Sequence, residues 1–345
     1  WCLLFMELKE LGEFGLLKKL SGQFKSTHPR VIKGIGDDTS VTVQDETKYL
    51  LCTTDTLVED IHFSLKHTSS YNLGKKAVSI SLSDIAAMGG APTFLLTSII
   101  LPAGTPVDFI NLLYKGIKER ADEFAVALVG GNTSASPEKI VITTIMLGEV
   151  PKDQVIFRKG ASAGDVIYVT GRLGDSSLGL KIWKEKDDKI ITDPFLKDAM
   201  LAHIDPFPRV REGRKLAEKK LATSMIDISD GLISELRHIT EESMVGAKIW
   251  LDKIPISTAL KRWLVDHPAD ITLSLSGGED YELLFTAPKA NTPMIENLAK
   301  ELGIPITQIG EIVPQEYGIS VLDDKGGVFQ PPSNGFEHWK SSAAK

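Results

Sequence analysis

Residues 73–89 place Leu73, Ala77, Ile80, Asp84 and Ala87 along one line of a helix, and Val78, Leu82 and Ile85 along a second. A helix that is apolar around most of its circumference has to be buried, so the rest of the chain must supply layers on either side of it. Asp84 then lies on a buried face. A buried carboxylate without a partner is costly, and it needs a donor, a proton or a metal ion. A neighbouring Ser or a backbone N–H would satisfy it as well as a cation would.

The flanking sequence supplies those layers. Residues 49–52, 94–101, 125–129 and 140–148 are short, apolar and β-prone, and read as strands. Residues 7–20 and 108–123 have helical spacing, although two glycines interrupt the first. The alternation continues with strands at 166–170, 224–226, 247–251, 271–275 and 307–313. Helices are expected at 176–184, 194–203, 209–219, 233–242 and 294–302. This is the pattern of an α/β chain. At 345 residues it exceeds one typical domain, and the polar connection at 153–164 divides it into 1–150 and 151–345. That connection contains Gly160-Ala161-Ser162-Ala163-Gly164, which matches the G-x-S-x-G nucleophile pattern. The elbow has to follow a strand and open a helix. Here Arg158-Lys159 precede it and a strand follows, so it reads as a Gly-bracketed turn.

The second constraint is where the acids fall. Tyr49-Leu50-Leu51-Cys52 runs into Thr53-Thr54-Asp55-Thr56-Leu57-Val58-Glu59-Asp60-Ile61-His62-Phe63, a strand end that delivers oxygens to a loop. Asp37-Asp38 follow Gly34-Ile35-Gly36. Asp227-Ile228-Ser229-Asp230-Gly231 follows a strand, and Glu279-Asp280 follow Gly277-Gly278. Each taken alone reads equally as a turn with solvated acids, and Ser229 or Asp230 as a helix N-cap. Together with Asp84 they suggest a carboxylate cage for several Mg²⁺ ions, which prefer carboxylate, hydroxyl and water oxygens. Metals held in this way bind polyphosphate and neutralise charge during transfer. There is no G-x-x-x-x-G-K-[ST], G-x-G-x-x-G or H-E-x-x-H motif.

Composition removes other classes. A net charge of −7 and a pI near 5.6 argue against a nucleic-acid binder. Two cysteines, Cys2 and Cys52, build neither a disulfide framework nor a multi-cysteine zinc site, and point to a reducing cytoplasm. No apolar run reaches the roughly 18–20 residues of a membrane span. Trp1-Cys2-Leu3-Leu4-Phe5 lacks the features of a signal peptide and reads as an extension ahead of a start at Met6.

Taken in order, the Thr-Thr-Asp-Thr-Leu, Ser-Asp-Gly-Leu and Ser-Gly-Gly-Glu-Asp-Tyr-Glu-Leu stretches resemble the thiamine-monophosphate kinase family. That family belongs to the aminoimidazole-ribonucleotide-synthetase-like superfamily. Gly34 to Asp38, Ser81 to Gly90 with Pro92, Gly130 to Thr133, and Arg158 with Gly160 and Gly164-Asp165 carry the resemblance too. It implies two α/β domains, the N-terminal sheets of a homodimer joined in a shared barrel, and transfer of the ATP γ-phosphoryl group to the phosphate of thiamine monophosphate. It also implies Asp38, Thr53, Thr54, Asp55, Asp84, Asp227 and Asp230 as Mg²⁺ ligands. ATP contacts would be Tyr114, Gly131, Arg158 and Ser229; thiamine-phosphate contacts would be His62, Glu279 and Phe336. Asp55, Asp84, Asp230 and Arg158 would carry the transfer itself.

One position departs from the family, which has Asp after the Gly-Gly pair where this chain has Asn132. Asn132 keeps an oxygen for metal and nucleotide but removes a charge, so Mg²⁺ is expected to bind less tightly there. Two rival readings follow. One is an ATP-dependent ligase or cyclase of the same superfamily, which activates a carbonyl oxygen. The other is a nucleotide- or thiamine-phosphate-binding protein without turnover.

Overall fold

The computed structural model describes residues 7–186, 191–331 and 335–339. The hydrophobic start at 1–6, with the expected Met6 start, and Pro332-Ser333-Asn334 of the tail lie outside them. The first half runs α1 (Leu8–Gln23), β1 (Val31–Lys33), β2 (Ser40–Val43), β3 (Lys48–Val58), α2 (Ser70–Ala87), β4 (Ala91–Pro102), α3 (Val107–Glu123), β5 (Ala127–Ser136) and β6 (Val141–Pro151). The second half begins β7 (Val166–Thr170), α4 (Asp175–Lys186), α5 (Pro194–Ile204), α6 (Val210–Glu218), β8 (Ser224–Asp227), α7 (Leu232–Ser243) and β9 (Val245–Trp250). It continues α8 (Thr258–Asp266), α9 (Leu273–Ser276), β10 (Leu283–Ala287), α10 (Thr292–Leu302), β11 (Ile306–Pro314), β12 (Ile319–Leu322) and β13 (Val328–Phe329).

Two sheets organise this mixed α/β chain. The first has the order β1-β2-β3-β6-β4-β5 and the second β13-β12-β9-β11-β7-β10-β8. Pairing is antiparallel except for β4–β5 and β9–β12. Neither sheet closes on itself; the shared barrel implied by the resemblance needs a second copy of the chain. No helix among the described residues is long and apolar enough to cross a membrane.

The buried helix expected from residues 73–89 is α2, extended back to a Ser69 cap whose Oγ accepts from the Asn72 N–H at 3.2 Å. It packs on β3 and β6 of the first sheet and on α6 and β8 of the second half, so it is the wall between the halves. Its approach to α3 requires glycine. A Cβ on Gly74 would lie 2.1 Å from the Leu113 carbonyl oxygen, and one on Gly116 1.9 Å from that of Tyr71.

The structure corrects several elements. Thr53, Thr54 and Asp55 lie inside an 11-residue strand rather than in a loop after it, because the β3–β6 ladder continues to Val58↔Val141. Residues 130–134 likewise belong to β5, not to a loop. Residues 271–275 are helical, not a strand: alternating Ile-Thr-Leu-Ser-Leu mimics a strand period. Pro268 opens a helical turn there, and Ser274 and Ser276 bond back to the Ile271 and Thr272 carbonyls at 2.8 and 3.1 Å. Helix α8 and strands β1, β12 and β13 had no strong pattern in the sequence. In α1 the expected break falls at Gly12, with φ 69°.

Candidate active site

Helix α2 presents Ser81, Ser83 and Asp84 to acids arriving from three other elements. Ser81 Oγ donates to Asp55 Oδ2 at 2.6 Å, and it also meets Thr144 Oγ1 of β6 at 2.8 Å. Ser83 Oγ donates to Asp227 Oδ2 at 2.6 Å, tying α2 to the end of β8. Thr53 Oγ1 donates to Asp84 Oδ2. The hydroxyl partners that would satisfy buried acids are therefore present.

They do not satisfy every oxygen of the cluster. Asp38, Asp84 and Asp227 each bring a carboxylate oxygen to within 4.8 Å of the others. Asp38 Oδ1 accepts from Arg158 Nε at 3.1 Å and Nη2 at 2.5 Å. Among the described residues, Asp38 Oδ2 is buried with no hydrogen-bond partner, as is the Thr39 hydroxyl beside it. An orphaned carboxylate oxygen in a cluster of carboxylates is where a cation belongs. The donor set suits Mg²⁺: hard oxygens, several of them anionic.

Crowding shows in the protonation equilibria. Burial pushes Asp38 up to about 7, with Arg158 opposing and Asp227 adding. Burial likewise raises Asp227 to about 6, against its Ser83 hydrogen bond. Asp84 goes well above the carboxylate range through burial and then repulsion from Asp55, Asp227 and Asp38. Asp55 is raised by burial, Ser81 opposing. Without a cation, these groups hold protons at pH values where free carboxylates are ionised.

Asp230 stands outside the trio, in the turn before α7. Its N–H donates to Glu235 Oε1 at 3.0 Å, and the Ser229 hydroxyl reaches the same oxygen at 3.3 Å. Neither caps α7 with its side chain. The cap is Gly231 at φ 108°, where a Cβ would lie 2.9 Å from the Ser276 carbonyl carbon. Burial, then Glu13 and Glu279, raise Asp230 to about 7.

Four expected residues lie elsewhere. Thr54 alternates with Thr53 and Asp55 along β3, so its side chain projects from the other face and is exposed. Asn132 pairs with Ser98 and through it Thr143, one residue out of step with the row Asp55–Thr144–Thr97–Gly131. It is exposed on the face away from Asp55. Gly131 is on the Asp55 row but three strands away, about 14 Å at 4.8 Å per strand. Tyr114, on α3, meets Thr97 Oγ1 at 3.2 Å in that same distant region. Within one chain, Tyr114, Gly131 and Asn132 do not join the acid trio.

The other end of the site is aromatic. His62 Nδ1 accepts from the Val58 N–H at 3.0 Å, and its ring meets His338 edge-on at 5.2 Å. His338 meets Phe336 at 5.0 Å. The Phe336 ring is half exposed while its N–H donates to the Asp230 carbonyl at 3.0 Å, so the tail is tied to the acid-bearing turn. Glu279 is paired with Lys76 Nζ at 2.9 Å. Sequence reasoning missed Lys76, His203, Glu235 and His338. Lys76 carried a signal only as one of two adjacent lysines, with Lys75, on a helix read as largely buried.

Residues 36–150 match the AIR synthase related protein N-terminal domain, and residues 162–323 the corresponding C-terminal domain. The chain is 38% identical over 336 residues to the thiamine-monophosphate kinase of Aquifex aeolicus, covering 97% of this chain and 100% of the relative. It is 36% identical to that of Buchnera aphidicola subsp. Acyrthosiphon pisum over 331 residues, 95% and 98% of the two chains. The solved structure of AaThiL complexed with AMPPCP and TMP is similar at a TM-score of 0.83 and 35% identity, over 97% of this chain and 99% of that one.

Proposed function

We propose, for a chain that belongs to the thiamine-monophosphate kinase family of AIR-synthase-related proteins, that it transfers the γ-phosphoryl group of ATP directly to the phosphate of thiamine monophosphate, giving thiamine diphosphate and ADP. The observation that carries this reading is the trio Asp38, Asp84 and Asp227, with its orphaned oxygen beside Arg158. The relative that binds AMPPCP and TMP shares the fold across nearly the whole chain.

An acceptor phosphate is already anionic at neutral pH, so the reaction needs no strong base. The difficulty is to bring two anionic groups together in line. Mg²⁺ held by Asp38, Asp84 and Asp227, with Thr53, Asp55 and Asp230 close by, would neutralise phosphate charge as it moves. Asp38 fixes the Arg158 guanidinium through two of its N–H groups and so orients it for a phosphate. Ser81 and Ser83 hold Asp55 and Asp227 in place. Ser229 and the N-terminus of α7 form a phosphate seat. The rings of His62, His338 and Phe336, packed edge-on to one another, offer ring faces and edges to thiamine, and Glu279 an anionic edge.

Residues 1–150 and 151–345 serve as the two domains of this reading, each contributing acids, with Arg158 from the second. The chain acts as a homodimer through its first sheet. Strand β5 is an edge strand exposed from Ala127 to Ala135, with Phe94, Leu128 and Val129 exposed around it. Such an edge is normally covered.

The test is product analysis. Purified protein, Mg-ATP and thiamine monophosphate are expected to give thiamine diphosphate and ADP in equal amounts, with none formed in excess EDTA. Binding of both ligands without product would leave the non-catalytic reading. ADP and free phosphate without thiamine diphosphate would send the reaction to another acceptor.

A further inference from the structure

Lys76 lies on α2 with 1% of its surface exposed. An ammonium taken this far out of water needs an anion, and Glu279 Oε1 stands 2.9 Å from its Nζ. The other carboxylate oxygen, Oε2, is 3.1 Å from Nδ1 of the buried His203, on α5. Burial, helped by Lys76, holds His203 down to about 4, so the ring is neutral at physiological pH. Burial pushes Glu279 up, but Lys76 and His203 outweigh it and hold the carboxyl below its ordinary range. Nδ1 of the ring faces both the Glu279 carboxylate, which can only accept when ionised, and the Ser176 hydroxyl. Ser176 Oγ lies 3.0 Å from the same nitrogen, and the Trp183 ring closes the far side of His203 edge-on at 5.6 Å.

The backbone of this loop is strained. Glu279 has φ 64° and Tyr281 φ 51°, both left-handed in residues with side chains. The loop is tied to the acid-bearing turn through Glu279 N–H to the Ser229 carbonyl at 2.6 Å and Tyr281 N–H to that of Ile228 at 2.9 Å. Exposure is graded. The side chains of Lys76 and His203 are 2% and 8% exposed, that of Glu279 24%. Two closed donors stand behind one open carboxylate. Oε1 faces the Lys76 ammonium and Oε2 the His203 ring, and the carboxylate keeps lone pairs for something arriving from the open side.

We infer that Lys76 and His203 are positioning residues for thiamine monophosphate: from opposite halves of the chain they fix the Glu279 carboxylate, ionised and in one orientation, to receive the N–H-bearing or cationic edge of the substrate's ring system. The inference deepens the proposed function and rests on it. A pair serving stability alone would be replaceable by apolar residues of similar volume. A pair that aims Glu279 is not.

The test is a cycle of variants in the full chain: Lys76→Met, Glu279→Gln, the two combined, His203→Leu and His203→Gln. For each, kcat and both KM values are measured, with thiamine monophosphate affinity by calorimetry. Lys76→Met and His203→Leu are expected to raise KM and Kd for thiamine monophosphate about tenfold, with KM for ATP within twofold. His203→Gln keeps a donor and is expected to recover most of the loss. Lys76→Met added to Glu279→Gln is expected to change nothing further, because Lys76 acts through Glu279. That combined variant buries no lone charge, so it serves where Lys76→Met alone fails to fold. A combined effect equal to the product of the single effects would put Lys76 on the substrate directly and overturn the inference. Unchanged KM in the single variants would also overturn it. Wild-type protein that neither turns over nor binds thiamine monophosphate would remove the proposed function, and the inference with it.

Discussion

Asp84 is within 4.8 Å of Asp38 and Asp227 through its carboxylate oxygens and receives the Thr53 hydroxyl. Its charge is opposed by burial and by three neighbouring acids. Asp84→Asn keeps the shape and removes the charge. Turnover is expected to fall about 100-fold or more, since the variant loses an anionic ligand of the proposed metal site. The metal-free variant should melt no lower than wild type, because it relieves repulsion; assays at saturating Mg-ATP and thermal melts in EDTA check both. The same crowding sets a pH dependence. Asp38, Asp227 and Asp230 have folded values near 7, 6 and 7, above the ordinary 3.8. Between those limits the folded chain binds more protons than the unfolded one, so these groups lower stability as pH rises. Metal-free protein is expected to melt higher at pH 5.5 than at pH 8, with Mg²⁺ narrowing the gap; a melt that rises from pH 5.5 to 8 in EDTA would contradict this. At this scale the acids were legible in the sequence, because four sets stand beside Gly, Ser or Thr. Their partners were not: Ser81 and Ser83 matter through Asp55 and Asp227, which are remote in sequence.

At the scale of elements, α2 was readable because its apolar positions cover most of a helix, and burial follows from that alone. The strands were harder. A polar run such as Thr53-Thr54-Asp55-Thr56 looks like a loop until α2 and the β6 ladder are there to pair its oxygens. The reading of Asn132 as a loop residue has the same origin: the residue after Gly131 faces opposite to it on a strand, whereas in a loop its direction is free. Residues 271–275 show the limit of period 2, since serines that bond back along a helix look like the outer face of a strand. Two predictions belong here. Ser69→Ala removes the cap of α2 and is expected to cost about 1 kcal/mol in urea unfolding, with kcat unchanged. Gly231→Ala places a Cβ against Ser276 at φ 108° and is expected to cost about 2 kcal/mol. It should also lower kcat, because the turn holding Asp230 has to shift.

Across the whole molecule, the acid trio draws on β2's approach, α2 and β8, so it exists only when the two halves are packed together. Ser83 to Asp227 and Lys76 to Glu279 cross that junction. No local reading of the sequence could have supplied it. The exposed β5 edge makes a further prediction: light scattering should give about twice the 37.7 kDa chain mass, and Leu128→Arg should shift it toward the monomer. If metal and arginine align the two phosphates as proposed, no side chain takes the phosphoryl group. The stereochemical course at phosphorus tests it most directly, using ATP made chiral at the γ-phosphorus with oxygen isotopes and sulfur. Inversion in the thiamine diphosphate product is the predicted result, a single in-line transfer. Retention would mean two transfers through a phosphorylated side chain, and would rule out direct transfer.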